Sequence, residues 1–243
     1  MNQHRLHTMP PDEPTATEDQ AHTRPEAPPQ SASEATGAAA TQAAPSRKRP
    51  KPGERRIQIL QTLAAMLEQP AGERITTAAL AARLDVSEAA LYRHFASKAQ
   101  MFEGLIEFIE QSVFTLANQI VEREQPAGPG AGARQSAIII SMLVQFAERN
   151  PGMARVMVGD ALVFENERLQ ARMNQFFDKI EATLKQCLRA SADPSSLTPT
   201  IDAQVRAAVL TAFVTGRLQR FVRSGFKRLP SEHLDSSLAL MLG

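Results

Sequence analysis

The sequence predicts an all-α fold in which a small N-terminal unit of three helices, containing a helix-turn-helix, precedes a larger helical body. Three observations lead there. Apolar residues recur every three or four positions through most of the chain after residue 53, alternating strand-like patterns are essentially absent, and residues 75–98 carry a succession of capping residues around one tight turn.

Taken in order, residues 1–46 are built from Pro, Ala, Thr, Ser, Gln and Glu, with Leu6 the sole large aliphatic residue besides Met1 and Met9. Such a segment buries too little apolar surface to offset the entropy of ordering it, so it is expected to be a disordered tail. The charge divides at the same place. Residues 1–46 hold two Arg against six acids, residues 47–100 hold ten basic residues against five acids, and the remainder holds fifteen of each. The overall charge of +1 therefore conceals a basic segment, which a polyanion senses directly because the Debye length is only about 8 Å at physiological salt. Within it, RKRPKPGERR at 47–56 has six basic residues and one acid. Arg47, Lys48, Arg49 and Lys51 are expected to follow a DNA backbone or enter its minor groove, a solvated linker being the alternative.

The first helix is read from Ile57, Leu60, Leu63, Ala64 and Leu67. Next comes ITTAALAARLDVSEAALYRHFASK, residues 75–98. Thr76 or Thr77 caps a short helix running to Leu84, Asp85 and Val86 form a turn, Ser87 caps a second short helix to about His94, and Ser97 caps a third with Gln100 at the capping-box position. Ala81 is small where the two short helices approach, and Leu84, Val86, Leu91 and Phe95 supply the buried face. The outer face presents Glu88, Ala89, Tyr92 and Arg93. That face suits a major groove, which admits one helix and is read by side chains near its N-terminus, so Ser87, Glu88, Ala89, Ala90 and Arg93 are candidate groove residues. Tyr92, His94, Lys98 and Thr76 or Thr77 are candidate phosphate contacts through hydroxyl, imidazole and ammonium groups.

The body continues helically through Phe102, Leu105, Ile109, Val113, Leu116 and Ile120, and later through Leu169, Met173, Phe176, Ile180, Leu184 and Cys187, with breaks expected at 69–72, 125–132, 150–152, 191–199 and 229–231. Asn150 is expected to cap a helix that starts at Pro151, where the missing N–H costs nothing. Glu103, Glu107 and Glu110 are expected on a solvated face, and Gly216 where helices approach closely. The organisation predicted is a tail at 1–46, a basic arm and DNA-binding unit at 47–97, and a dimerisation and partner-binding body at 98–243.

Several function classes are disfavoured. Residues 1–11 have no continuous apolar stretch, and the most apolar run, 137–147, is too short for a bilayer of about 30 Å, so a cytoplasmic chain without a membrane partner is expected. The single cysteine, Cys187, makes no internal disulfide and fits a reducing compartment. Phosphate-loop, Rossmann, HExxH and GxSxG patterns are absent, and the histidines at 4, 7, 22, 94 and 233 are isolated or in the tail. No catalytic residue, metal ligand or cofactor is assigned.

The threonine pair opening residues 76–77, the run Val86 to Phe95 (VSEAALYRHF) and the Ser97-Lys98 pair resemble the DNA-binding signature of the TetR family. Asp85 stands where glycine is common, and Asp tolerates left-handed backbone better than most residues. Beyond the signature, LIEFIE at 105–110, ERNPG at 148–152, RLQARMNQFF at 168–177 and RFVRSGFK at 220–227 resemble the nucleoid-occlusion branch of that family in order and spacing. The resemblance implies a homodimer built on the long helices near 168–190 and 200–224, a palindromic double-stranded DNA site, and possible occupation of one site by several dimers. It also implies a partner, the C-terminal tail of the tubulin-like division protein FtsZ, held by positions matching Phe108, Arg149 and Asn150. A ligand-responsive repressor is the alternative within the same fold.

Overall fold

A computed structural model describes residues 53–69, 75–123, 128, 130–190 and 198–243. The predicted tail, the arm residues Arg47, Lys48, Arg49 and Lys51, and most of the predicted breaks at 69–72, 125–132 and 191–199 lie outside them. Every regular element among the described residues is helical: α1 (Glu54–Leu67), α2 (Thr77–Arg83), α3 (Glu88–Tyr92), α4 (Lys98–Arg123), α5 (Ala131–Arg149), α6 (Pro151–Met157), a 3₁₀ turn (Asp160–Leu162), α7 (Glu167–Ala190), α8 (Pro199–Arg223) and α9 (Leu234–Leu242). None of these helices is long and apolar enough to cross a membrane.

The all-α expectation holds because most of each stripe read from the sequence is buried against a neighbouring helix; Ile57 and Leu116, read as part of the stripes on α1 and α4, are instead 57% and 41% exposed, and Ala117 takes the buried place next to Leu116. On α7, Leu169, Met173, Phe176, Ile180, Leu184 and Cys187 are buried, facing α5 and α8. The ring of Phe176 lies 5.4 Å from that of Phe114 on α4 and 5.2 Å from that of Phe177, so the centre of the body is an aromatic cluster in tilted and edge-on contact. Helix α4 packs on α1, α5, α6 and α7. Its Gly104 sits where a Cβ would lie 3.1 Å from Leu60 and 3.4 Å from Phe95, so the first turns of α4 form a floor under α1 and the helix-turn-helix.

A second seat joins α1 to the body. A Cβ placed on Gly152, in the first turn of α6, would stand 2.0 Å from the backbone oxygen of Ala64. Only glycine permits this approach. Arg155, one turn on, donates to the carbonyls of Leu67 (3.3 Å) and Gln69 (3.4 Å) at the end of α1, and is itself held by Asp160 at 2.6 Å. Orphan carbonyls at a helix C-terminus need donors, and a guanidinium also suits the negative end of the helix dipole.

Several local expectations are corrected. Helix α3 ends at Tyr92 rather than near His94, because the amides of His94 and Phe95 both turn back to the carbonyl of Leu91. Asn150 does not cap α6 with its side chain: its amide donates to the carbonyl of Phe146 at 2.7 Å, closing α5 instead. Glu110 is not solvated but takes two bonds from Arg172 of α7, at 2.6 and 3.2 Å, and these raise the affinity of that guanidinium for its proton against the opposing effect of burial. Gly216 is exposed, with nothing among the described residues within 4 Å of a hypothetical Cβ, so the close approach expected there is not to a helix of the same chain.

Candidate nucleic-acid interface

The site is assembled by caps and one turn. Thr76, not Thr77, is the N-cap of α2, its hydroxyl accepting from the amide of Ala79 at 3.1 Å. Helix α2 ends with the amide of Val86 bonded to the carbonyl of Ala81 (3.0 Å) and that of Asp85 to Ala82 (3.1 Å), the paired closure usually completed by glycine. Asp85 takes that place with φ of 54°, the left-handed conformation its short polar side chain tolerates. Ser87 then caps α3 by accepting from Ala90 at 3.3 Å. Ser97 accepts from Gln100 at 3.2 Å, while the Gln100 side chain reaches back to the amide of Ala96 at 2.8 Å.

Leu80, Ala81, Leu91 and Phe95 are buried under this corner, and Leu84 and Val86 close its edge. The other side of α3 is open. Ser87, Glu88, Ala89, Tyr92, Arg93 and His94 are all exposed, with Ala90 half-buried between them. A small residue at Ala89 lets the helix axis come near a groove floor, and Tyr92 beside it is 46% exposed. The helix-turn-helix is rigid at two further points. The Thr77 hydroxyl donates to the Glu88 carboxylate at 2.5 Å, bridging the first turns of α2 and α3. Arg56 lies 4.2 Å above the ring of Phe95 and donates to the carbonyl of His94 at 3.1 Å, tying α1 to the end of α3.

Three partnerships of these residues were not legible in the sequence. Lys98 is ion-paired with Glu165, which follows the 3₁₀ turn, their side chains 21% and 11% exposed. Thr77 and Glu88 are partly committed to each other. Arg56 was legible only as one charge in the basic arm, since its aromatic partner lies 39 positions further on.

The positions assigned to a protein partner are separate from this corner. Phe108 stands on α4 with 48% of its surface exposed, off the buried stripe of Phe102, Leu105 and Ile109. Arg149 is exposed at the last residue of α5, and Asn150 is half-buried beside it. On α8, Ile201, Val205 and Val209 are 62%, 57% and 48% exposed, and exposed Ala212 and Gly216 continue the same line at helical spacing. A groove of about 690 Å³ runs between α5 and α9, lined by Ala137, Ile138, Met142 and Leu238, with Arg134 and Asp235 among its polar residues.

Known proteins agree with this architecture. Residues 59–105 match the family described as bacterial regulatory proteins, tetR family, and residues 133–242 match the SlmA-like family described as tetracyclin repressor-like, C-terminal domain. The fold is shared with the transcriptional regulator FadR from Bacillus subtilis (TM-score 0.58, 14% identity, 77% of this chain and 97% of that one). It is also shared with PfmR from Thermus thermophilus (TM-score 0.55, 17% identity, 76% and 97% covered). In sequence the chain is 50% identical over 187 residues to the nucleoid occlusion factor SlmA of Idiomarina loihiensis, covering 77% of this chain and 93% of the relative. The same factor from Vibrio cholerae is 49% identical over 188 residues, again covering 77% and 93%. With a tetR-type helix-turn-helix, a matching C-terminal body and this identity over nearly the whole length of its relatives, the chain belongs to the SlmA family of nucleoid occlusion factors, a branch of the TetR family.

Proposed function

We propose that the protein is a homodimer that reads a palindromic chromosomal site with one α3 helix per subunit and, while bound, restrains ring assembly by FtsZ over unsegregated DNA. The observation that carries this reading is the capped, rigid helix-turn-helix with one side of α3 left open, in a chain half identical to nucleoid occlusion factors. In the reading, Ser87, Glu88, Ala89, Ala90 and Arg93 approach base edges, while Thr76, Thr77, Tyr92, His94 and Lys98 hold phosphates. Arg47, Lys48, Arg49 and Lys51 add salt-dependent attraction. The apolar line on α8 is the dimer seam: exposed aliphatics at helical spacing are what an isologous two-fold contact buries. Two-fold symmetry in the protein then requires two-fold symmetry in the site, and several dimers sharing one site is an extension of the same geometry. Phe108 is the apolar anchor for the FtsZ C-terminal tail, Arg149 the counter-charge to its acidic residues, and Asn150 a hydrogen-bonding neighbour. The protein acts on the nucleoid in the cytoplasm, with no membrane partner and no cofactor.

The test is light scattering from FtsZ polymerising with GTP in the presence of the protein and either a duplex it selects from a random pool or a scrambled duplex. Loss of polymer with the selected duplex alone is expected, and Phe108→Ala should abolish that loss while leaving DNA affinity unchanged. Unaltered polymer despite DNA binding would favour the second reading, a ligand-responsive repressor. That reading rests on the groove between α5 and α9, whose apolar lining and few polar groups have the character of a small-molecule site. A small molecule that both occupies this groove and releases the duplex would establish it.

A further inference from the structure

We propose that Glu165 is an intramolecular competitor of the DNA backbone: in the free protein it holds Lys98, and binding transfers Lys98 from that carboxylate to a phosphate. The inference rests on the reading of Lys98 as a phosphate contact, and it makes the contact conditional on breaking a bond that the folded chain already contains.

Lys98 opens α4 one residue after the cap that ends the helix-turn-helix, so it lies at the edge of the face that meets DNA. Its ammonium is bonded to Glu165, 67 residues away, and neither side chain is more than about a fifth exposed. An ammonium so shielded cannot fall back on full hydration and requires an anionic partner. Two anions are available to it in turn, a carboxylate in the free protein and a phosphate in the complex. Keeping both together would set like charges within a few ångströms of one another, which is unfavourable at partly buried sites. The carboxylate is also the more easily displaced of the two, because of where it sits. It belongs to the short stretch between the buried Leu162 and α7, where Val163 and Phe164 are 67% and 76% exposed and contribute little packing. At its other end this stretch leads back to Asp160, which holds Arg155 on the last carbonyls of α1. The turn at 158–166 thus holds Lys98 directly through Glu165 and supports the end of α1 indirectly, through Asp160 on Arg155, and the direct hold is the one DNA would claim.

The test is a double-mutant cycle on the full chain, reading the Kd of a fluorescent palindromic duplex that the protein selects from a random-sequence pool, at several KCl concentrations. Glu165→Gln is expected to tighten binding roughly two- to tenfold, the range spanned by the coupling of partly exposed ion pairs, without changing the salt slope. Lys98→Met should weaken binding and lower the salt slope by about one per subunit. In the Lys98→Met background, Glu165→Gln should give no gain. An equal gain in both backgrounds would mean that Glu165 merely repels DNA through its field, and weaker binding by Glu165→Gln would mean that it orients Lys98; either result overturns the proposal. If Lys98→Met binds as tightly as the unaltered chain with the same slope, the phosphate contact itself is wrong, a separate failure that removes the premise. Hydrogen exchange on the unaltered protein guards against misfolded variants. Amides of residues 159–167 should exchange faster in the duplex complex than in the free protein, and unchanged or slower exchange overturns the transfer.

Discussion

Tyr92 illustrates how much rests on single groups at this interface. It ends α3 with nearly half of its surface exposed, so Tyr92→Phe removes one polar group and disturbs little packing. The substitution should weaken duplex binding by about 1.5–3 kcal/mol per subunit, the worth of a hydrogen bond to a charged partner, with an unchanged thermal melt; equal affinity in a titration would reduce Tyr92 to a packing role. Cys187 gives an opposite kind of residue. It is buried on α7, and that burial pushes its thiol toward the protonated form. A thiol reagent at neutral pH should therefore label it far more slowly in the native protein than after unfolding in guanidinium. The stability tied to this shift is complete below the ordinary thiol range and is lost as pH rises through the raised value. At this scale the sequence was readable where a hydroxyl caps an amide three positions on, as with Ser87 and Ser97, whereas Asn150, whose partner lies four positions back, was read as capping the wrong helix. The sequence was silent where partners lie far apart. Glu110 was read as solvated because nothing near it in the chain announces Arg172, and Lys98 was read only as a phosphate contact because Glu165 lies 67 positions further on.

Among the elements, the junction of α1 and α6 carries the sharpest expectation. A methyl group on Gly152 would collide with backbone at Ala64, not with a pliable side chain, so Gly152→Ala must displace α6 or α1. The expected cost is about 1–3 kcal/mol in denaturant unfolding, the range for overpacked sites, together with weaker DNA binding, because α1 supports the helix-turn-helix. A variant that unfolds and binds as before would show that the two helices separate freely. This junction escaped sequence reading for an instructive reason: the helix start at Pro151 was legible, but the glycine's role depends on a helix more than eighty residues earlier. Long amphipathic helices were legible throughout, since their stripes repeat many times. Ends were less so, as the early stop of α3 shows, because the turn that follows it is set by Phe95 entering the core.

For the whole molecule, the fold class followed from periodicity and the caps of residues 75–98, whereas assembly did not. Sequence patterns single out long helices near the C-terminus, but which face of α8 is left over depends on what α5, α7 and α9 already cover. The face left over holds Ile201, Val205 and Val209, and Val205→Asp placed at its middle should convert a dimer to a monomer in size-exclusion light scattering. Loss of the second half-site contact should then weaken duplex binding by roughly a hundredfold or more. A dimer that survives the charge would move the seam elsewhere.

The close seat of α1 on α6 has a consequence for the DNA as well. A reading head bolted to its body cannot swivel to follow a target, so in the proposed dimer the distance between the two α3 helices acts as a ruler. Inserting one base pair between half-sites turns the second by about a tenth of a helical turn, beyond what such a head can track. The proposed dimer would therefore sample DNA for spacing as strictly as for sequence, and imperfect half-sites at the correct separation should outcompete perfect half-sites one base pair out of step.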